Sequence, residues 1–208
     1  FRDMITTEEI QQTLIKTAVD KIDIDRPNWT FVAARLFLFD LYHKVTGFNG
    51  YNHLKDYLAK SEKVGRIIPE LKEKYNLEDL NAYIKPERDL QFAYLGIKTL
   101  YDRYLIKDKS GMPIELPQHM FMAIAMFLAQ NELDSQGWAK KFYDLISKFE
   151  VMLATPTLSN ARTTRHQLSS CYVGSTPDNI EGIFDSYKEM ALLSKFGGGI
   201  GWDWSKVR

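Results

Sequence analysis

Three pieces of one stretch decide the fold: Ser169-Ser170-Cys171-Tyr172-Val173-Gly174-Ser175, then Pro177-Asp178-Asn179, then Gly197-Gly198-Gly199-Ile200-Gly201. Tyr172 and Val173 suit a pleated surface, and the first piece predicts a strand over 169–175. Pro177-Asp178-Asn179 predicts a helix start, where short polar side chains satisfy orphan N–H groups. Ile180, Ile183, Tyr187 and Met190 then recur at helical spacing, and the helix runs out in the glycines. A strand feeding a helix is how an α/β layer begins. The texture changes after Glu150: residues 153–176, which include this strand, are rich in Thr, Ser and Arg and have little helical period.

Working outward, the first 150 residues read as helix. Thr6 with Glu9 three residues later forms a capping box, and Ile10, Leu14 and Ala18 mark one face of a helix ending near Ile22. After the break at Asp25-Arg26-Pro27-Asn28, the stripe Phe31, Ala34, Leu38, Leu41 and Val45 predicts a second helix with Gly47 as its C-cap. Residues 51–84 suggest short helices joined at Gly65 and Asn76. Pro86 opens the next helix, with Leu90, Ala93, Ile97, Leu100 and Tyr104 on its apolar side. A turn-rich excursion over Lys107–Pro113 precedes a largely buried helix from Pro117 to Ala129. Asp134-Ser135 caps a last one, with Trp138, Phe142, Leu145 and Phe149 on one side.

Composition excludes several function classes. The 208 residues carry 27 Lys+Arg and 27 Asp+Glu, so there is no net charge to attract a phosphate backbone, and nucleic-acid binding is not expected. Hydrophobic residues at 45% and charged residues at 26% exclude a disordered chain. The single cysteine excludes an internal disulfide and a multi-cysteine zinc site. The longest apolar run, Met120 to Ala129, is half of the roughly twenty residues a membrane helix needs. Phe1-Arg2-Asp3-Met4 lacks the apolar core of a secretory signal. A start without Met and a stop at Val207-Arg208 suggest a piece of a longer, cytoplasmic protein.

The residues that could carry chemistry cluster late. The glycine run fails the dinucleotide fingerprint, because Trp202 stands where its last glycine belongs and the run follows a helix. Four glycines in five residues either let a ligand approach closely or simply end a flexible helix terminus. Cys171 is either a small buried hydrophobe or a reactive thiol. His166, five residues earlier, is a candidate base for it, although strand alternation would send the two to opposite faces. Thr155-Pro156-Thr157, Ser159-Asn160 and Thr163-Thr164 make either a capped loop or a polar cradle for phosphate or ribose. Asp178 is most simply an N-cap and otherwise an acceptor for a ribose hydroxyl. His43, His53 and His119 lack metal-ligand spacing, so no metal site is expected.

Several separate motifs, in order, resemble one family. Ala154-Thr155-Pro156-Thr157-Leu158-Ser159-Asn160-Ala161, Arg165-His166-Gln167-Leu168-Ser169-Ser170-Cys171-Tyr172-Val173 and Lys195-Phe196-Gly197-Gly198-Gly199-Ile200-Gly201 resemble the large, catalytic subunits of class I ribonucleotide reductases. Glu87-Arg88-Asp89-Leu90-Gln91-Phe92-Ala93-Tyr94 is similar to that family's helical-domain signature, and residues 31–40 to its first helix after the regulatory cone.

The resemblance implies a mostly α-helical domain followed by the first strand–helix elements of a ten-stranded α/β barrel. Residues 1–24 would be the last helix of a truncated ATP cone, 25–150 the helical domain and 151–208 the start of the barrel. Cys171 would be the redox-active reductant of the ribose 2′ position, oxidised afterwards to a disulfide with a cysteine beyond this chain. Thr155, Ser170, Cys171, Gly198 and Gly199 would hold the ribonucleoside diphosphate. Asp178, Asn179, Ile180 and Arg208 would begin the specificity-effector site, with Asp178 on deoxyribose and Arg208 on phosphate. Deoxynucleoside triphosphates and ATP would be the effectors. No cofactor is implied in this chain; the radical would come from a metal-containing small subunit. The other implied partners are a second large subunit, packed through the helix 178–196, and thioredoxin or glutaredoxin. Two other readings stand beside this one: a non-catalytic helical dimerisation and effector-binding module, and a Cys–His hydrolase.

Overall fold

Pro117–Ala129 is apolar on every side, and a helix of that kind belongs inside other helices. In the computed structural model, which describes residues 4–208, every residue of this helix except Leu128 is buried. Residues 1–3, the head of the expected 1–24 segment, lie outside the described residues. The elements run α1 (Thr7–Asp20), α2 (Trp29–Thr46), α3 (Leu54–Lys63), α4 (Glu70–Glu73), α5 (Leu77–Tyr83), a 3₁₀ turn (Pro86–Gln91), α6 (Tyr94–Arg103), α7 (Pro117–Ala129), α8 (Ser135–Ser147), α9 (Thr155–Asn160), β1 (Cys171–Ser175), α10 (Ile180–Lys195) and β2 (Gly199–Asp203). They fall into two compact units: Phe1–Met152 with Arg162–Thr164, and Leu153–Ala161 with Arg165–Arg208.

In the helical unit, α8 lies along α7, and α2 packs on α1 and α6. The Thr6 capping box forms, with the Glu9 N–H donating to Thr6 Oγ1 at 3.2 Å and the Thr6 N–H to Glu9 Oε2 at 2.9 Å. Gly47 closes α2 in the left-handed conformation, φ +82°. Ala34, Leu38, Leu41 and Val45 of the expected stripe are buried, while Phe31 stays partly exposed.

Three expectations change here. Pro86 opens a 3₁₀ turn, not an α-helix, and Phe92 and Ala93 are extended before α6 begins. The kink turns Phe92 inward against Phe121 and Phe149, with ring centroids 6.4 and 5.0 Å away, and leaves Leu90 half exposed. On α8 the buried positions are Ala139, Tyr143, Ile146 and Ser147, whereas Trp138, Leu145 and Phe149 are partly exposed. Tyr143 goes inside because its hydroxyl has partners there: it donates to Gln118 Oε1 at 2.7 Å and accepts from the Lys85 N–H at 2.9 Å. Thr155–Asn160 is helical within the segment read as irregular; Pro156 fits a first turn, where its missing N–H is not needed.

In the second unit β1 and β2 pair in parallel, with Cys171 opposite Gly199 and Ser175 opposite Asp203. The helix α10 is the crossover that parallel neighbours require. The strand begins at Cys171, two residues later than expected. The glycine run is not a loose helix end: Gly197 turns the chain at φ +81° and Gly199 starts β2. The expected stripe on α10 is present as spacing but only partly as burial: Ile180 and Tyr187 are exposed, Ile183 and Met190 are half-buried, and Ser186 is the helix's buried residue. Among the described residues no helix is long and apolar enough to cross a membrane.

Candidate functional site

The entry ends of the two strands gather four of the expected residues. Cys171 is exposed, and a Cβ built on Gly199 would sit 3.6 Å from its Sγ, an ordinary contact, and 3.3 Å from the Ser170 carbonyl. The Gly199 N–H donates to the Ser170 carbonyl at 2.7 Å, so Ser170, Cys171 and Gly199 form one cluster. Gly198 is held far more tightly: a Cβ there would come within 2.5 Å of the Tyr172 ring and 3.3 Å of the Leu193 carbonyl. Its N–H donates to that carbonyl at 3.1 Å, and the Gly197 N–H donates to Ser194 O at 2.9 Å. The three N–H groups of the glycine run therefore already have acceptors. What the run offers a ligand is close approach to a backbone without side chains.

Thr155 opens α9 on an exposed position. Polar side chains tie α9 to the segment leading into β1. Asn160 Nδ2 donates to the Gln167 carbonyl at 2.9 Å, and Gln167 Nε2 donates to the Ser169 carbonyl at 2.9 Å and to the Tyr172 hydroxyl at 3.0 Å. This relay explains why a hydroxyl- and amide-rich stretch holds a fixed path here without an apolar core of its own.

The exit ends of the strands gather the other four. Asp178 follows β1 and Arg208 follows β2, and the two meet: Arg208 Nε lies 2.6 Å from Asp178 Oδ2. Asp178 is not the N-cap. Asn179 is, its Oδ1 accepting the Gly182 N–H at 2.8 Å, which leaves the Asp178 carboxylate for Arg208. Ile180, the first residue of α10, is exposed. Five residues of strand, roughly 13 Å at about 3.3 Å per step, separate the thiol end from this ion pair. Because β1 begins at Cys171, strand alternation does not reach back to His166 and does not set which way that imidazole faces.

The helical unit buries polar groups whose partners the sequence does not reveal. Asp89 is buried and accepts from Tyr42 Oη at 2.7 Å, Tyr51 Oη at 2.6 Å and Gln118 Nε2 at 2.7 Å. Burial pushes its carboxyl up to about 6, against the three donors, which pull it down. His119 lies between the stacked ring of Tyr57, 4.9 Å away, and the edge of Tyr51, and burial pushes it down to about 3. Glu115 and Arg162 are fully buried and form a two-pronged ion pair, Nε to Oε1 at 2.7 Å and Nη2 to Oε2 at 2.6 Å. A lone Glu within Ile114-Glu115-Leu116, and a lone Arg after Ala161, were the available signals. Among the described residues no group of three His, Cys, Asp or Glu side chains is arranged to hold a metal.

Known proteins resemble both parts of the chain. The family model of the ribonucleotide reductase all-alpha domain matches residues 90–166, and that of the ribonucleotide reductase barrel domain matches residues 169–208. The chain is 76% identical, over all 208 residues, to the ribonucleoside-diphosphate reductase subunit alpha of Helicobacter pylori strain ATCC 700392 / 26695, of which it covers 26%. It is 38% identical over 217 aligned positions to the subunit of the same name from Treponema pallidum, again covering 26% of it. Against the subunit alpha of Enterobacteria phage T4 it is 37% identical over 188 positions, using 88% of this chain and 25% of the relative. The chain thus spans about a quarter of the length of these curated relatives.

Proposed function

Because the chain belongs to the ribonucleotide reductase large-subunit family, we propose that its parent protein reduces ribonucleoside diphosphates to 2′-deoxyribonucleoside diphosphates and that Cys171 is one of the two thiols that supply the electrons. In the balanced step the ribose 2′ carbon loses its hydroxyl as water and gains hydrogen, while two thiols become a disulfide. Cys171 is the one cysteine here, so its partner belongs to a segment outside these 208 residues. The radical that starts the reaction is supplied by a separate, metal-containing small subunit, and thioredoxin or glutaredoxin reopens the disulfide.

The observation that carries this reading is the exposed Cys171 thiol, paired in register with Gly199 across the two strands. A sugar has to come within bonding reach of a sulfur, and the residue paired with Cys171 on the neighbouring strand is a glycine, which adds no side chain beside that thiol. Thr155 and Ser170 supply hydroxyls for the diphosphate or ribose, and Gly198 and Gly199 supply bare backbone. Asp178 and Arg208 form the start of an effector site: the carboxylate takes a deoxyribose hydroxyl and the guanidinium a phosphate, while Ile180 offers an apolar contact and Asn179 holds the helix start. The exposed face of α10 joins a second large subunit. We assign residues 1–24 to the end of an ATP cone, 25–150 to the helical domain and 151–208 to the opening of the barrel.

The test is Cys171→Ser in the full-length parent with its small subunit. Multiple-turnover reduction driven by a dithiol is expected to disappear while nucleotide binding persists. Turnover at the wild-type rate would overturn the assignment.

A further inference from the structure

We propose that Arg162 is a positioning residue for the substrate end of the barrel unit, fixing through its buried pair with Glu115 the chain that joins the Thr155 helix to the Cys171 strand. The proposal rests on the reading of Thr155 and Cys171 given above. Arg162 lies two residues after α9 and nine before Cys171. Residues Arg162–Thr164 belong to the helical unit, whereas the segments on both sides of them belong to the other. Arg162–Thr164 are thus anchored within the helical unit, and the peptide chain on either side of them runs on into the other.

The hold has two parts. The guanidinium is fully buried and grips both oxygens of Glu115, with a further bond from Nη2 to the Tyr104 carbonyl at 2.8 Å. Glu115 is fixed in turn by the Tyr57 hydroxyl and by the Ile106 N–H at 2.9 Å. The backbone adds a second attachment: the Ile68 N–H donates to the Arg162 carbonyl at 3.2 Å, and Thr163 makes a β-bridge with Ile67. Stability alone is a poor reason for such a pair, since apolar residues of similar volume hold a fold as well as, or better than, a buried ion pair. A planar fork on a carboxylate supplies direction, which an apolar contact does not. The direction matters because a displacement of about 1 Å at a reacting centre can lower the rate on the order of a hundredfold.

The experiment uses the full-length parent with its small subunit. The paired substitution Arg162→Met with Glu115→Met removes the fork without leaving a lone buried charge. We expect a cooperative fold with a Tm close to wild type and a KM for the ribonucleoside diphosphate raised about tenfold or more. Hydrogen exchange should rise over residues 153–171 and stay unchanged over 117–129. Arg162→Lys, which keeps the charge and loses the fork, should give an intermediate KM; it decides the matter on the same readouts should the paired variant not fold. A folded variant with wild-type KM and wild-type exchange overturns the proposal, and so does a lowered Tm with an unchanged KM. If the wild-type parent does not reduce ribonucleoside diphosphates, the functional reading fails; the exchange pattern alone then upholds or overturns the anchoring.

Discussion

The helical unit and the strand–helix unit carry the same kind of apolar spacing and use it differently. In the first, Ala34, Leu38 and Leu41 on α2 and Ile97 and Leu100 on α6 are buried. In the second, Ile180, Phe184 and Tyr187 on α10 and Val173 on β1 face outward. Periodicity records which face of an element is apolar; it does not record what covers that face. A two-stranded parallel sheet with one crossover helix has too few layers to bury its own surfaces.

The largest effect that separates the two units is a core truncation. Ile97→Ala, at a position with no exposure, should destabilise the chain by about 2–5 kcal/mol in urea denaturation. Ile180→Ala, at 72% exposure, should fall within about 0.5 kcal/mol of the parent chain. Equal losses at the two sites would mean that α10 is covered after all and would erase the contrast.

The polar groups divide in the same way. The strand–helix unit keeps its main ion pair at the surface, with the Arg208 side chain 90% exposed, while the helical unit buries Asp89 and His119. This gives a pH dependence of two opposed parts. Asp89 is pushed up to about 6, so its contribution is full below the ordinary carboxylate range and is lost as pH rises through 6. His119 is pushed down to about 3, so its contribution is full above the ordinary imidazole value, near 6.5, and is lost as pH falls toward 3. Between about pH 4 and 6 the two slopes, each about 1.4 kcal/mol per pH unit, offset one another. We expect a nearly level stability profile there for the wild-type chain. Asp89→Asn should expose the His119 slope as a steady loss on acidification. An Asp89→Asn profile as level as the wild type would show that neither group titrates inside the fold.

Much of this was legible in the sequence, and the parts that were not have physical causes. Caps at Thr6 and Gly47 and the stripes on α2 and α10 follow from local rules that need no knowledge of neighbours. The inward face of α8 was misjudged because Trp138 and Leu145 outrank Tyr143 in hydrophobicity. The decision lay instead with Gln118 and the Lys85 N–H, partners 25 and 58 residues away in sequence. The helix over 155–160 was hidden because Thr, Pro, Ser and Asn are poor helix formers; it persists through its ties to Gln167 and Leu168. In the candidate site, motif order located Cys171, Ser170 and the glycines. The Asp178–Arg208 pair and the Glu115–Arg162 fork depend on contacts over 30 and 47 residues, which no spacing rule carries. The Asn179 cap, by contrast, is a local contact to Gly182 that the Asp178-Asn179 pair left open between two neighbours.

The glycine run offers the finest division within the strand–helix unit. Gly198 is required by its surroundings: a methyl group there would meet the Tyr172 ring at 2.5 Å and the Leu193 carbonyl at 3.3 Å. Gly201, three residues on, faces only Val173 Cγ1 at 3.6 Å, an ordinary contact. Gly198→Ala should therefore cost about 1–3 kcal/mol through displacement of Tyr172, read by urea denaturation. Gly201→Ala should be nearly neutral, within about 0.5 kcal/mol. Tyr172 also holds Gln167 through its hydroxyl, so the Gly198 variant should loosen the segment leading to Cys171 as well, visible as faster labelling of that thiol. A Gly201 variant with the larger loss would mean that the glycines serve the strand pairing and not the seating of the Tyr172 ring.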